Sequence, residues 1–336
     1  QNAVIARAAY NYLLFTGDTY FFTIEGGGAA DLIMQTARFW VSKATQDRNR
    51  KKNRYELHGV VGPDEYHSLS KNGNDGINNN AFTNEMAKQN IQIALRLSEQ
   101  YKDDPQLHAA FYLSEQEKAQ WQDVVDKMYS PYDPKSKIYY QFDGFKSLRP
   151  LDFRRWYPPH KDAAIYEVDL QMKQDKKKHR DPDKYLVVKQ ADSLLLLDYL
   201  DILDPEVARA NYLYYDPITA HGSTFSKVKH IIAALRAGFP IDAFDYLQDA
   251  LEIPLKKSQR GTPIVALAGV VQAIIKGYVG LINHLDGLKL VNPQLPPGWK
   301  ELTFSIMYQN QHLQFRITED YIDVVNLTSQ ELLSHE

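Results

Sequence analysis

The sequence predicts a mainly α-helical chain that closes on a small antiparallel β module. Three observations carry that expectation. Apolar residues recur at spacings of three and four up to about residue 282, and alternation with period two is confined to the stretch after 300. The helical segments also alternate with similar lengths, which suits an α/α toroid, although no internal repeat is visible. A length of 336 residues is consistent with two domains.

The first segment, 1–22, places Val4, Ile5, Ala8, Tyr12 and Phe15 on helical spacing and stops at Gly17. No N-cap precedes it, so the chain is expected to begin inside a helix, with part of the protein upstream. Residues 29–45 form the next helix through Ala30, Ile33, Met34, Ala37 and Phe39-Trp40, followed by a solvated basic loop, Arg48 to Arg54. Residues 58–80 lack helical period and are dense in Gly, Pro, Asp, Asn and Ser, so they read as a long irregular loop, a frequent home of function. Helices are expected again at 81–100, 114–129, 185–201, 224–237, 241–251 and 262–282. Between them, 131–184 is a polar connection broken by prolines at 131, 134, 150, 158 and 159 and carrying the charged run Lys176 to Arg180. From 300 on, Leu302 to Ile306 and Leu313 to Ile317 alternate as strands do.

Composition removes several function classes. The 39 basic and 42 acidic residues leave a net charge of -3, which does not suit a nucleic-acid binder. With no cysteine there is no disulfide, thiolate metal site or cysteine nucleophile, in keeping with a cytoplasmic location. No apolar run reaches the roughly 20 residues of a membrane helix, and GxGxxG, P-loop, HExxH and GxSxG patterns are missing. Gly26-Gly27-Gly28 is most simply a flexible helix entry. The ten histidines show no metal-ligand spacing beyond His221 and His230, nine apart, so neither a metal nor another cofactor is expected.

Chemistry concentrates in four stretches. His58-Gly59-Val60-Val61-Gly62-Pro63-Asp64-Glu65-Tyr66-His67 sets two carboxylates and a histidine after a Gly-Pro corner in the irregular loop. Glycosyl transfer needs a carboxylic acid near the leaving oxygen, and like-charge repulsion between adjacent Asp64 and Glu65 would keep one of them protonated. Ile77-Asn78-Asn79-Asn80-Ala81-Phe82-Thr83-Asn84 is rich in amides that can both donate to and accept from sugar hydroxyls, or brace a bent loop. Val188-Lys189-Gln190-Ala191-Asp192 joins a cation and an amide at an expected helix start. Tyr214-Tyr215-Asp216-Pro217, with Thr219 to Ser226 after it, puts hydroxyls and His221 before a helix whose N-terminal N–H groups favour an anion; Ser and Thr are also ordinary caps.

Taken together, Gly62-Pro63-Asp64-Glu65-Tyr66-His67, Asn79 to Asn84, Lys189-Gln190-Ala191-Asp192, and Tyr215-Asp216-Pro217 with His221-Gly222-Ser223-Thr224-Phe225-Ser226 resemble glycoside hydrolase family 65. Ala37-Arg38-Phe39-Trp40 and Ala266-Leu267-Ala268-Gly269 with Gly277 and Gly280 are weaker family segments. The family contains maltose, trehalose, kojibiose and nigerose phosphorylases and trehalose and kojibiose hydrolases. The resemblance implies the later half of an (α/α)6 catalytic barrel over 1–284 and a small β-sheet domain over 285–336, with an N-terminal remainder of the enzyme lying outside this chain. It implies Glu65 as general acid, Asp64, Asn79, Lys189 and Gln190 as substrate-binding residues, and His221, Ser223 and Thr224 as phosphate-binding residues.

The implied activity is inverting phosphorolysis of an α-glucosidic disaccharide, releasing β-glucose 1-phosphate, with phosphate as nucleophile and co-substrate. The expected partners are a disaccharide or oligosaccharide and phosphate, with neither nucleic acid nor membrane; a homodimer is common in the family. The alternatives are inverting hydrolysis, with Asp216 as the nearest candidate base, and a non-catalytic carbohydrate-binding fragment. The chain departs from the family at Gly222 and Thr224, at Ile77-Asn78-Asn79-Asn80, where a charge is lost, at Pro263 and at Gln35, which leaves the sugar linkage open.

Overall fold

A computed structural model describes residues 2–47, 53–68, 76–151, 182–202, 204–252, 264–284 and 287–335. Most of the basic loop after residue 47, the Lys176 to Arg180 run and Pro263 lie outside these. The chain forms two compact units, one of residues 1–57, 83–130 and 300–336 and the other of 58–82 and 131–299.

In the first unit, α1 (Asn2–Thr16) buries Ala3, Ala6, Tyr10 and Leu13 and packs on α2 (Ala29–Lys43), whose inner face is Ala30, Ile33, Met34, Ala37 and Trp40. Both helices follow the expected periodicity. Helix α3 (Ala81–Gln100) begins where expected, α4 (His108–Phe111) is one turn, and α5 (Glu115–Lys127) starts on a capping box. There the Ser114 hydroxyl accepts from the Glu117 N–H, and Glu117 Oε2 accepts from the Ser114 N–H at 3.0 Å. Strands β1 (Thr45–Gln46) and β2 (Tyr55–Glu56) form a short ribbon.

The alternating tail is a four-stranded antiparallel sheet within this unit: β9 (Glu301–Tyr308), β10 (Gln311–Thr318), β11 (Ile322–Asn326) and β12 (Glu331–His335), in sequential order. Leu313, Phe315 and Ile317 are its buried row, and Phe315 stacks on its cross-strand partner Phe304 at 5.0 Å. Phe15 of α1 meets Tyr308 edge-on, and the Gln309 N–H donates to the Phe15 carbonyl.

The second unit contains ribbon β3 (Tyr132–Asp133) with β4 (Ile138–Tyr139) and a parallel pair, β5 (Arg149–Pro150) with β6 (Tyr185–Leu186). Among the described residues its α-helices are α6 (Leu195–Tyr199), α7 (Pro205–Tyr215), α8 (Thr224–Arg236), α9 (Pro240–Glu252) and α10 (Ile264–Gln272). Helix α8 is central, in contact with the other four. Its Val228, Ile231, Ile232, Ala233 and Ala234 are almost wholly buried, and burying each of the three larger residues contributes about 1.5–3 kcal/mol. A side chain at Gly269 would sit 2.7 Å from Val228, so α10 can approach this closely only with glycine there. Inside the core, Asp198 of α6 accepts from Lys229 of α8 at 2.6 Å and also from Lys276. Burial opposes ionisation of Asp198, but the two ammonium groups outweigh it and hold its pKa well below the ordinary value.

Three expectations need correction. No helix spans 185–201; only Leu195–Tyr199 is α-helical. Long-range partners claim the backbone of the preceding residues: Val188 N–H donates to Ile218 O, Ala220 N–H donates to Val188 O, and Lys189 N–H donates to Asp64. Helix α7, not expected from periodicity, is set by the Asp204-Pro205 start, where the Asp204 carboxylate accepts from the Glu206 and Val207 N–H groups. The last expected helix changes to a π-helical turn at Ala273–Tyr278 and then to the hairpin β7 (Leu281–His284) and β8 (Gly287–Leu290). Gly280 makes that switch at φ +68°, where a Cβ would strike the Val291 carbonyl.

Candidate active site

The second unit holds the four motif stretches, apart from Thr83 and Asn84 at the end of the second. The irregular loop is tied at its base by Val60 and Ile77, which exchange both backbone hydrogen bonds, while Gly76 at φ +86° passes Gly59 too closely for any side chain. The Gly-Pro corner has the same requirement: a Cβ on Gly62 would lie 2.5 Å from both Asn80 Nδ2 and Asp192 Oδ2.

Asp64 is wholly buried and acts as a brace. Its Oδ1 accepts from the Tyr66 N–H and the Lys189 N–H (3.1 and 2.8 Å), and its Oδ2 lies 2.7 Å from His67 Nδ1 and 2.8 Å from Gln141 Nε2. His67 Nε2 faces the Tyr185 carbonyl at 3.1 Å. Both neighbours of the ring are acceptors, so both nitrogens carry protons. Burial works against that charge, but the Asp64 contact overcomes it and raises the His67 pKa. Asn79, in the left-handed region at φ 53°, donates to Asp143 at 2.8 Å, and Asn80 donates to Asp192 and to the Gln141 carbonyl.

The expected partnership of Asp64 with Glu65 does not form, because alternate residues of the turn point to opposite sides. The carboxyl that meets Asp64 is Asp192, whose Oδ2 accepts from the Asp64 N–H at 3.1 Å. Burial, followed by the charge of Asp64, raises the Asp192 pKa from 3.8 to about 7. Between those values Asp192 is protonated when folded and ionised when unfolded. The folded chain thus binds more protons, and this group's contribution to stability falls as pH rises through that window. His67 extends the trend: its raised pKa contributes stability that is present below 6.5 and lost as pH passes its folded value. Asp192→Asn keeps an acceptor for the Asp64 N–H but cannot ionise. Its melting temperature is expected to decline less than that of the wild type between about pH 4 and pH 7; parallel melting curves for the two proteins would contradict this assignment.

Glu65 projects outward, its side chain 64% exposed, and pairs with Lys189 Nζ at 2.6 Å. Gln190 turns back to donate to the Pro63 carbonyl. Lys189 links this edge to the next motif, since its carbonyl accepts from the Gly222 N–H at 2.7 Å. Beside that contact, His221 adopts φ 49° and Ser223 caps α8, its hydroxyl accepting from the Phe225 N–H. The side chain of Thr224 lies outside the described residues. His221 Nδ1 is 3.1 Å from Ser226 Oγ, and its Nε2 is 3.3 Å from the Tyr246 hydroxyl, which donates to Asp216 at 2.6 Å. Burial, then the neighbouring His230, pushes the His221 pKa well below its ordinary value; burial also lowers that of His230.

The structure thus brings together Glu65, Lys189 and Gln190, and connects them through Gly222 to His221 and Ser223. Asp64 and Asn79 stand behind this surface as buried supports. Sequence reading passed over Gln141 and Tyr246, and noted His230 only for its spacing from His221. Gln141 sits in the polar connection, where no pattern marks it, and the other two look like inward-facing positions of amphipathic helices.

Residues 1–272 match the glycosyl hydrolase family 65 central catalytic domain, and residues 286–333 match the family 65 C-terminal domain. A kojibiose phosphorylase of Halothermothrix orenii and an α,α-trehalose phosphorylase of Geobacillus stearothermophilus are each 30% identical over 98% of this chain. An uncharacterized glycosyl hydrolase of Mycobacterium tuberculosis is 33% identical over 94% of it. The chain spans 41% of the length of the two phosphorylases and 24% of the mycobacterial protein. A solved structure described as a kojibiose phosphorylase from the human microbiome shares the fold, with a TM-score of 0.76 and 24% identity over 97% of this chain and 46% of that one. The matched catalytic domain covers most of the sequence and carries all four motif stretches, so the chain belongs to glycosyl hydrolase family 65.

Proposed function

We propose that this chain carries the catalytic acid and the phosphate subsite of an inverting disaccharide phosphorylase. The observation that carries the reading is the double role of Lys189. Its ammonium holds Glu65, and its carbonyl holds Gly222 in the turn that presents His221 and Ser223. One residue thereby ties the proton donor to the anion-binding turn. A sugar hydroxyl that takes over the Lys189 ammonium frees Glu65 to carry a proton to the glycosidic oxygen. Phosphate, held by Ser223 and His221 at the start of α8, attacks the anomeric carbon from the opposite face and inverts it. No protein nucleophile is required, and the product is β-glucose 1-phosphate. The kojibiose, trehalose and maltose phosphorylases among the relatives favour an α-glucosidic disaccharide as substrate.

Inverting hydrolysis is the second reading. It is favoured by Asp216, a carboxylate beside His221 that Tyr246 holds in place and that could activate a water. The two readings separate on phosphate. With kojibiose, trehalose and maltose supplied in turn to the full-length enzyme, glucose release from one of them is expected to require phosphate and to saturate with it. Equal release in phosphate-free buffer would transfer the assignment to a hydrolase, and no release from any sugar under either condition would favour a carbohydrate-binding protein.

A further inference from the structure

Asp216, His221 and His230 converge: one donor atom from each lies within 4.8 Å of the others. The phosphorolysis reading gives His230 no role, yet it is the most informative of the three. It is wholly buried, and its Nδ1 lies 2.8 Å from the Ser226 carbonyl. A carbonyl can only accept, so Nδ1 carries the proton and Nε2 is left with its lone pair. Among the described residues that Nε2 has no hydrogen-bond partner. A buried imidazole fixed in this tautomer by a backbone carbonyl is the arrangement that metal-binding histidines adopt, and an orphaned buried acceptor is costly unless a ligand uses it.

The other two donors suit the same ligand. His221 Nε2 lies 3.3 Å from the Tyr246 hydroxyl, whose proton goes to Asp216, so Nε2–H is the donor there. An ion would displace that proton, and Ser226 Oγ beside Nδ1 can accept from the other tautomer. Tyr246 donates to Asp216 Oδ1 and also contacts His221 Nε2, so one hydroxyl holds both side chains in place. Lys227, the cation whose charge reaches both imidazoles, is paired with Asp249 and so partly neutralised. Asp216 and His221 are only half-buried, which leaves a path for an ion to enter. A tetrahedral zinc with ligands at about 2.0–2.1 Å needs its donors roughly 3.3 Å apart, a closure of under about 1 Å by each side chain.

We propose that Asp216, His221 and His230 form a three-ligand site for a divalent transition-metal ion of the zinc and cobalt class, with the fourth position open. Two imidazoles and a carboxylate favour such an ion over calcium or magnesium. This assignment departs from the sequence expectation of no metal and does not depend on phosphorolysis. The test is a titration of the tag-free full-length protein with Co²⁺, followed by the visible d–d bands of tetrahedral cobalt and by displacement with Zn²⁺. One equivalent per chain is expected to develop the bands and to be displaced by Zn²⁺. His230→Gln and Asp216→Asn are each expected to weaken binding at least about tenfold, with circular dichroism reporting that each is folded. If the buried His230→Gln variant fails to fold, Asp216→Asn decides alone. Absence of the bands in the wild type, or undiminished binding in the folded variants, overturns the proposal. Because binding is read without turnover, its failure is distinct from failure of the phosphorylase reading.

Discussion

Glu65→Gln is expected to lower kcat by about 10²–10⁴-fold, the usual contribution of a positioned general acid, while leaving the fold intact. The structure explains why the loss is confined to chemistry. The side chain is mostly exposed, and its partner in the free protein is Lys189 rather than the buried bracket around Asp64. A glutamine of the same shape still accepts from Lys189 but has no proton to give to a glycosidic oxygen. Sugar binding, read by calorimetry, should therefore survive while turnover is lost. An α-glucosyl fluoride, whose departing fluoride needs no protonation, should recover much of the rate. A variant with wild-type turnover of disaccharide would remove Glu65 from the acid role.

Asp64→Ala is expected to have the largest effect on stability, about 3–5 kcal/mol, because it strips the counter-charge from a buried imidazolium. Losing the carboxylate leaves His67 Nδ1, Gln141 Nε2 and the N–H groups of Tyr66 and Lys189 without their acceptor. These groups hold the Glu65 turn against the Lys189 segment, so unfolding and loss of the site should go together. Urea denaturation at neutral pH measures the cost. A double variant, Asp64→Ala with His67→Leu, should recover part of it by removing the stranded charge. A loss below about 1 kcal/mol in the single variant would show that the bracket is not a source of stability.

What could be read from the sequence divides along physical lines. The first two helices, the helix from residue 81, α8 and the alternating tail were legible because each shows one apolar face at its own period. The 187–194 stretch was not. Its apolar Val187, Val188 and Leu194 look helical, but hydrogen bonds to residues more than a hundred positions earlier and some thirty later decide its path. The Glu65, Lys189 and His221 stretches stood out in the sequence by their mix of carboxylate, amide, cation and hydroxyl side chains, and the structure brings them together. The division of labour between Asp64 and Glu65 was not, since neighbours in sequence need not be neighbours in environment. The raised pKa of Asp192 arises from burial against Asp64, a contact between residues 128 positions apart that local pattern cannot encode.

In the proposed reaction Glu65 and the His221 to Ser223 turn serve one inverting transfer to phosphate. The most direct measurement is proton NMR of the first turnovers of the full-length enzyme with its disaccharide and phosphate, resolving the anomeric signals before mutarotation. β-Glucose 1-phosphate is expected as the initial product, formed only when phosphate is present. Initial α-glucose 1-phosphate, or free glucose formed at the same rate without phosphate, would contradict it.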